Sequence, residues 1–358
     1  MDTTTIMQSD GNLVVYRSDS SGGADMVVWA SNTAEKPGSF LSIEDGGNAR
    51  IWFEESMIWS AVQTKCIAEY QARSQVPFDI VTASCCGLSP FPMAVYGDTE
   101  SVKDIVSDHI RRHGHWEAHN VDLLERQLRS APRSIFLDVG ANIGWFASVM
   151  AAKGYETFAV EPFESNRRLI ELTACLNPDI KANLHLVPYG LHTNNRTCEM
   201  WQIPSTNLGD THSLCDDMDG DAKKAGMSKA GYEKVGTMKA TTLDTLVESG
   251  AIDLGTVGQT VMKIDVEGFE PFAMFGGKES LRRGRPRFIL SEFTARMLND
   301  HPVATGYDGK LSLAYLNTMA DLGYQVYKWK DTKATALDRS GFQTFQGPDV
   351  IFATSKIT

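Results

Sequence analysis

Nowhere in the 358-residue sequence does an apolar run approach the roughly 18 residues needed to span a bilayer. The chain opens Met1-Asp2-Thr3-Thr4-Thr5, without the basic and then apolar regions of a secretion signal. These two absences point to an intracellular, cytoplasmic protein. Its six cysteines include no Cys-x-x-Cys pair, and only Cys85 and Cys86 are neighbours, so neither a zinc site nor a disulfide framework is expected. Basic residues are outnumbered: 34 Lys and Arg against 45 Asp and Glu give a net charge of -11. Duplex nucleic acid needs a basic face, so it is excluded as the main partner. What remains is ordinary for a globular chain, with 42% apolar and 22% charged residues and enough length to bury a large core. Asn195-Arg196-Thr197 forms a glycosylation sequon, a triplet that chance supplies often.

The acidity is concentrated at the start, where residues 1–61 hold nine acids against Arg17, Lys36 and Arg50. Two stretches there, about 36 residues apart, are alike. Met7–Tyr16 is followed by a turn-rich segment and Val27-Val28-Trp29-Ala30-Ser31. Ile43–Trp52 is followed by a turn and Ile58-Trp59-Ser60-Ala61. Gly/Asn turns, period-two apolar positions and a closing Trp predict hairpin-rich β repeats. The first unit resembles the bulb-type, mannose-binding lectin repeat Gln-x-Asp-x-Asn-x-Val-x-Tyr, matched by Gln8, Asp10, Asn12, Val14 and Tyr16. Strand alternation would set all five on one face, with amide, carboxylate and phenol for sugar hydroxyls and Val14 for the sugar's apolar side. The second unit keeps only Asn48; Glu44, Gly46, Arg50 and Trp52 replace the rest. The resemblance implies a small all-β domain over 1–61, a partial β-prism with about two of three parts, and a mannose-type sugar as ligand. Alternating polar residues are equally the wet face of an ordinary strand.

Residues 62–90 carry little pattern and are expected to be a connector. Phe91–Tyr96 is a short β-like run, and Asp104–Arg112 and Asn120–Arg129 are expected helices. Between them, His113 and His115 have no third metal ligand nearby in sequence, so a surface loop and no metal are expected.

From Ser134 the pattern alternates β and α. Ile135–Val139 is continuously apolar but for Asp138, as a strand buried on both faces should be. It runs into Gly140-Ala141-Asn142-Ile143-Gly144 and a helical stretch, Trp145–Lys153. Thr157–Val160 is the next strand and ends at Glu161-Pro162, before a helix over 164–176. Glycines let the backbone approach a ligand at a helix start. An acid 23 residues beyond Asp138 is placed to accept ribose hydroxyls. A nicotinamide dinucleotide requires Gly-x-Gly-x-x-Gly, and the position two before Gly140 is Asp138. Asp-x-Gly-x-Asn-x-Gly instead suits a cofactor with an aminoacyl group and no pyrophosphate. Asp138 would receive its ammonium or a bound water. Asp138, Gly140, Ala141, Asn142, Gly144, Glu161, Pro162 and Gly190, near the end of a third strand expected over 184–191, form the candidate cofactor site.

Residues 204–234 read as an insertion or lid. The acids of Asp217–Asp221 do not form a calcium loop, since the glycine is misplaced and position twelve is Ser228. Thr260–Ile264 is an apolar strand followed by Asp265, Glu267 and Glu270. Burying three acids for packing would be costly, so they are expected to line a polar cleft at the strand's carboxyl end. Arg287–Glu292 repeats the theme, and Tyr324–Trp329 and Asp349–Ala353 would be the final strands.

Four motifs in this order resemble the FkbM family of methyltransferases: Phe136–Gly144; Val160-Glu161-Pro162; Thr242-Leu243-Asp244-Thr245-Leu246; and Lys263–Glu270. Trp116-Glu117 also looks familial, and the resemblance runs from Phe91 to Ala353 within a domain expected over 91–358. It implies an α/β fold, the doubly wound Rossmann-like sheet of class I methyltransferases with a reversed final strand. It also implies S-adenosylmethionine as methyl donor and oxygen acceptors on sugars, polyketides or related metabolites. The partner would then be a small-molecule or glycan acceptor. A hydroxyl acceptor must lose its proton, so a carboxylate within reach is wanted. Asp265 and Glu267 come first, Glu292 third, with Lys263 as electrostatic partner. Asp265 is equally a candidate donor contact, and Glu267 or Glu270 a candidate helix cap. The alternative function is a mannose-type lectin with a methyltransferase fold that does not turn over.

Overall fold

The structure is a computed structural model. It describes residues 3–17, 26–31, 33–37, 39–43, 49–53, 56–74, 76–99, 103–203, 208, 211–215, 227–255, 258–300, 306–330, 332–347 and 349–357. The chain divides into two compact units, Met1–Gln75 and Val76–Thr358. Among the described residues no helix is long and apolar enough to cross a membrane.

The first unit holds two three-stranded antiparallel sheets. One contains β1 (Thr3–Met7), β2 (Leu13–Arg17) and β3 (Met26–Ala30); the other contains β4 (Phe40–Ile43), β5 (Ala49–Phe53) and β6 (Ser56–Ser60). The register slips between Val15 and Tyr16 in one sheet and between Ile51 and Trp52, the equivalent place in the repeat, in the other. Helix α1 (Ala61–Gln71) follows and packs on β5 and β6.

The five lectin-like residues do not share a strand face. Gln8, Asp10 and Asn12 lie in the turn between β1 and β2, where Gln8 N–H donates to the Asn12 carbonyl at 2.8 Å. Asp10 Oδ1 accepts the Asn12 N–H at 3.0 Å, a side-chain turn that competes with strand pairing. Gly11 has φ +91°, and a Cβ there would lie 2.1 Å from the Lys36 carbonyl oxygen, so alternation cannot run through it. Asn12 Oδ1 accepts from Ser31 Oγ at 2.9 Å and from the Thr33 N–H at 3.2 Å. Val14 is buried in the core. The side chain of Tyr16, and residues Glu44, Gly46 and Asn48 of the second repeat, lie outside the described residues.

The second unit begins with an antiparallel pair, β7 (Phe78–Ala83) and β8 (Phe91–Tyr96). The stretch 62–90, expected to be a connector, thus carries most of α1 and all of β7. Helix α2 (Ile105–His113) is capped by Asp104, whose Oδ2 accepts the Ser107 N–H at 2.8 Å. It stops at Gly114 with φ +77°. Helix α3 (Ala118–Arg129) leads into the alternating region.

In chain order that region contains β9 (Ile135–Val139), α4 (Trp145–Ala152), β10 (Glu156–Val160), α5 (Glu164–Leu176), α6 (Pro178–Asn183), β11 (Leu184–Val187) and β12 (Gly190–Leu191). Strands β13 (Arg196–Gln202), β14 (His212–Cys215) and β15 (Glu233–Thr241) follow, then α7 (Leu243–Glu248) and β16 (Thr260–Ile264). Next come α8 (Glu270–Phe275), α9 (Lys278–Arg282), β17 (Phe288–Glu292), α10 (Ala295–Asp300) and α11 (Leu311–Asp321). The chain finishes with β18 (Gln325–Lys330), β19 (Lys333–Ala336) and β20 (Asp349–Ala353).

Eight strands make the main sheet, in the order β11-β10-β9-β16-β17-β20-β18-β19. The first five run parallel. β20 enters antiparallel to both β17 and β18, the reversed final strand that the resemblance implied. Winding proceeds outward in both directions from β9 and β16, so the crevice at their carboxyl ends is where such sheets hold ligands. All five residues of β9 and all five of β16 are buried, which is why both read as apolar runs. Burying each large aliphatic or aromatic side chain there contributes about 1.5–3 kcal/mol.

A second sheet, β12-β15-β13-β14, accounts for a misread strand. The run 184–191 is broken at Pro188, which lacks an N–H to donate. Leu184–Val187 pairs with β10, whereas Gly190-Leu191 pairs with Ala240-Thr241. Here the expectation about cysteines also fails: Cys198 lies opposite Cys215 and is bonded to it, and Cys85 is bonded to Cys86. Strand register created the first pairing, and spacing along the chain does not display register. Of the stretch 204–234, the structure describes 208, 211–215 and 227–234, which hold β14 and the start of β15; Asp217–Asp221 lie outside the described residues.

Candidate active site

A cavity of about 360 Å³ opens at the carboxyl ends of β9, β10, β16 and β17. Its floor is the turn after β9. Gly140 sits there with φ +78°, and a Cβ would lie 1.8 Å from the Asp265 carbonyl oxygen. Only glycine lets the turns after β9 and β16 meet this closely. Gly144, with φ +83°, opens α4 against α5; a Cβ would stand 2.7 Å from Ile170 Cγ1. Asn142 is held at φ +53° between them. Gly140, Ala141, Asn142, Glu161, Pro162 and Gly190 line the cavity; Asp138 and Gly144, expected beside them, do not.

The Glu161 carboxylate is fixed by two backbone donors, Asn142 N–H to Oε2 and Phe163 N–H to Oε1, each at 2.8 Å. Burial outweighs these hydrogen bonds and pushes its pKa up to about 7. Asp138 points back into the fold, where Oδ2 accepts the Ala147 N–H at 3.0 Å. Burial raises it to about 6, with Lys263 pulling the other way. Asp138 Oδ1, Asn142 Oδ1 and Trp145 Nε1 are buried with no hydrogen-bond partner among the described residues. Unmet buried acceptors and a donor cost free energy unless a ligand or water meets them.

On the other wall, Lys263 Nζ lies 3.0 Å from Asp265 Oδ2 and 4.9 Å from the centre of the Phe146 ring. Burial disfavours the ammonium, but Asp265, Asp138 and Glu117 outweigh it and hold Lys263 above the ordinary lysine range. Burial likewise works against Asp265, which Lys263 nevertheless keeps below the usual carboxylate range. Glu292 goes the opposite way: burial and the charges of Asp265, Glu270 and Glu267 keep its proton on, and it is hydrogen-bonded to Asp265. Asp349, beside Glu292 in register, is raised to about 7 by burial, Glu117 and Asp265. Carboxylate oxygens of Asp265, Glu270 and Glu292 lie within 4.8 Å of one another.

Glu270 does not line the cavity as expected. It is 2% exposed, and its Oε1 accepts the Val266 N–H at 2.9 Å and the Gly268 N–H at 3.3 Å, tying the turn after β16. Burial raises it to about 7. Glu267, with φ +53°, does line the cavity, as do Lys263, Asp265 and Glu292. Sequence reasoning passed over Trp145, Phe146, Asn166, Met200 and Ser213, which are among the residues of the wall. Asn166 had a usable signal, since it sits one turn into the helix after Glu161; it accepts from the Tyr96 hydroxyl at 2.6 Å. Met200 and Ser213 come from the second sheet and had none. The histidine loop gains a third member, His109 on α2. Its ring centre lies 4.3 Å from that of His113 and 5.7 Å from that of His115.

The profile of the methyltransferase FkbM domain matches residues 138–326, wholly within the second unit. Among solved structures, precorrin-6y C5,15-methyltransferase from Geobacter metallireducens GS-15 is similar at 10% identity and a TM-score of 0.31, over 66% of this chain and 89% of that one. The methyltransferase domain of bacterial CtHen1-CN is similar at 11% identity and a TM-score of 0.31, over 66% of this chain and 97% of that one. No curated protein matches the sequence. None of these likenesses supports the bulb-lectin resemblance of the first unit.

Proposed function

The chain belongs to the FkbM-domain methyltransferases, and from that premise we propose that it moves a methyl group from S-adenosylmethionine to a hydroxyl oxygen of a sugar or related metabolite. The observation that carries the reading is the Glu161 carboxylate, held by two backbone N–H groups in the wall of the cavity with lone pairs left for ribose hydroxyls. The donor fits the unmet groups of the site. Asn142 Oδ1 and Trp145 Nε1, both in the cavity lining, supply polar contacts, and Asp138 Oδ1, buried behind that lining, would meet the ammonium through a water. Gly140, Ala141, Gly144 and Pro162 shape the turn against it, and Gly190 closes the far side.

S-adenosylmethionine supplies, when bound, an electrophilic methyl group on a sulfonium. The chain's own work is alignment, exclusion of water and handling of one proton. Lys263 keeps Asp265 ionised, and Glu292 holds a proton against Asp265. The proton of the acceptor hydroxyl goes to a carboxylate of the turn after β16. A sugar site at Gln8, Asp10, Asn12, Val14 and Tyr16 is left out of this reading, because Asp10 and Asn12 are engaged within the turn and Val14 is in the core. The test is transfer of a labelled methyl group from S-adenosylmethionine to a panel of glycosides and hydroxylated metabolites. Label appearing on oxygen supports the reading; label on nitrogen or carbon only, or none despite donor binding, overturns it.

A further inference from the structure

A second concavity, of about 410 Å³, opens beside the first, between β14 and α10. The two share three lining residues, Ser213, Glu267 and Phe269. They therefore meet at the turn after β16, and Glu267 stands in the wall common to both.

The backbone of that turn is bent to place Glu267 there. Glu267 and Gly268 are consecutive left-handed residues, at φ +53° and +92°. A left-handed glutamate is costly and persists only where its surroundings enforce it, and such strain gathers at functional sites. The enforcement is visible: the buried Glu270 carboxylate accepts the N–H groups on both sides of Glu267, those of Val266 and Gly268. Gly268 is also pressed against Met297, whose Sδ would lie 3.1 Å from a Cβ.

Around the concavity, Met297 and Phe269 offer apolar surface. On the rim, Arg296 and Asp300 face each other at 3.5 Å, so cation and anion offset one another. With the Glu267 carboxylate in the shared wall, that combination suits a hydroxyl-bearing molecule with one apolar side and disfavours an anion.

We propose that the second concavity is the acceptor site, and that Glu267, where the two cavities join, is the catalytic base. The inference rests on the donor occupying the first cavity. In the step, the acceptor hydroxyl gives its proton to the Glu267 carboxylate as its oxygen forms the new bond to carbon. The carbon–sulfur bond breaks with its electron pair left on sulfur, and the Glu267 proton then leaves to solvent through the open groove. Of the other cavity acids, Asp265 is engaged by Lys263 at 3.0 Å and Glu292 already carries a proton.

The experiment uses the full chain, labelled S-adenosylmethionine, and two sets of probes: neutral alkyl glycosides and cyclohexanediols, and matched carboxylated or aminated compounds. Transfer is expected to the neutral set. With the best neutral probe, Arg296→Trp, at an exposed position, should raise KM at least tenfold by filling the groove. It should leave the affinity for S-adenosylhomocysteine unchanged. Glu267→Gln should lower kcat at least a hundredfold, again with that affinity kept. Transfer to no neutral probe by a chain that binds S-adenosylhomocysteine overturns the inference, as does an unchanged KM in Arg296→Trp or a normal kcat in Glu267→Gln. A wild-type chain that fails to bind S-adenosylhomocysteine defeats instead the reading beneath it.

Discussion

Gly140→Ala separates two costs that the site imposes on one residue. A left-handed alanine costs roughly 1–2 kcal/mol from backbone sterics alone. The added Cβ would also stand 1.8 Å from the Asp265 carbonyl oxygen and 2.9 Å from its carbon, both backbone atoms that cannot rotate away. Relief requires the turns after β9 and β16 to part by more than an ångström, against the 3.0 Å hydrogen bond from the Asp265 N–H to the Val139 carbonyl. Overpacking of this kind adds roughly 1–3 kcal/mol. Gly154→Ala is the control, because Gly154 has φ +85° with nothing within 4 Å of its Cβ, so only the first cost applies. Equilibrium urea unfolding should therefore place Gly140→Ala about 1–3 kcal/mol below Gly154→Ala. Calorimetric titration with S-adenosylhomocysteine should show weakened binding in Gly140→Ala alone. Equal stabilities, or full affinity in Gly140→Ala, would refute the close approach and its role in shaping the cavity.

Other expectations follow from the buried charges. Glu161 titrates near 7 in the free protein and is required as a carboxylate by ribose hydroxyls. Affinity for S-adenosylhomocysteine should thus fall toward tenfold per pH unit below 7 and level off above it, and a flat profile from pH 5.5 to 8 contradicts this. Glu270 is raised from its usual 4.5 to about 7, so the folded state binds its proton more tightly than the unfolded chain. Its contribution is full below about 4.5 and is lost as pH rises through about 7. Glu270→Gln keeps an acceptor oxygen but cannot ionise, so the gap between its melting temperature and that of the wild type should move in the variant's favour from pH 5 to pH 8. A gap independent of pH would be contrary evidence. Lys263→Met takes away the cation that keeps Asp265 low, so the carboxyl-carbon NMR titration of Asp265 should move to higher pH; an unmoved titration would contradict the Lys263–Asp265 pairing.

Much of the main sheet was legible because its strands are buried on both faces. Ile135–Val139 and Thr260–Ile264, buried along their whole length, had no choice but to read as apolar runs. Gly140 and Glu161, which line the cavity, stood out for the same reason: a glycine or acid just past the end of such a run has little packing purpose. Other parts depended on relations a linear pattern does not carry. Cys198 and Cys215 meet through strand register, and Ser213 reaches the cavity from a separate sheet. The three acids after β16 looked equivalent in sequence, yet Glu270 braces the turn while Asp265 and Glu267 face the cavity. In the first unit, period-two alternation from Gln8 to Tyr16 mimicked a strand. Asp10 and Gly11, both turn formers, were the residues that should have outweighed it.

The central claim is that the cavity beside Glu161 holds the methyl donor. Calorimetric titration of S-adenosylhomocysteine into the full chain and into Glu161→Ala tests it most directly, with a melting curve to establish that the variant is folded. Losing the ribose contacts should cost ~1–3 kcal/mol, so one site per wild-type chain and at least roughly tenfold weaker binding in the variant are predicted. Equal affinity in a folded Glu161→Ala would contradict the account.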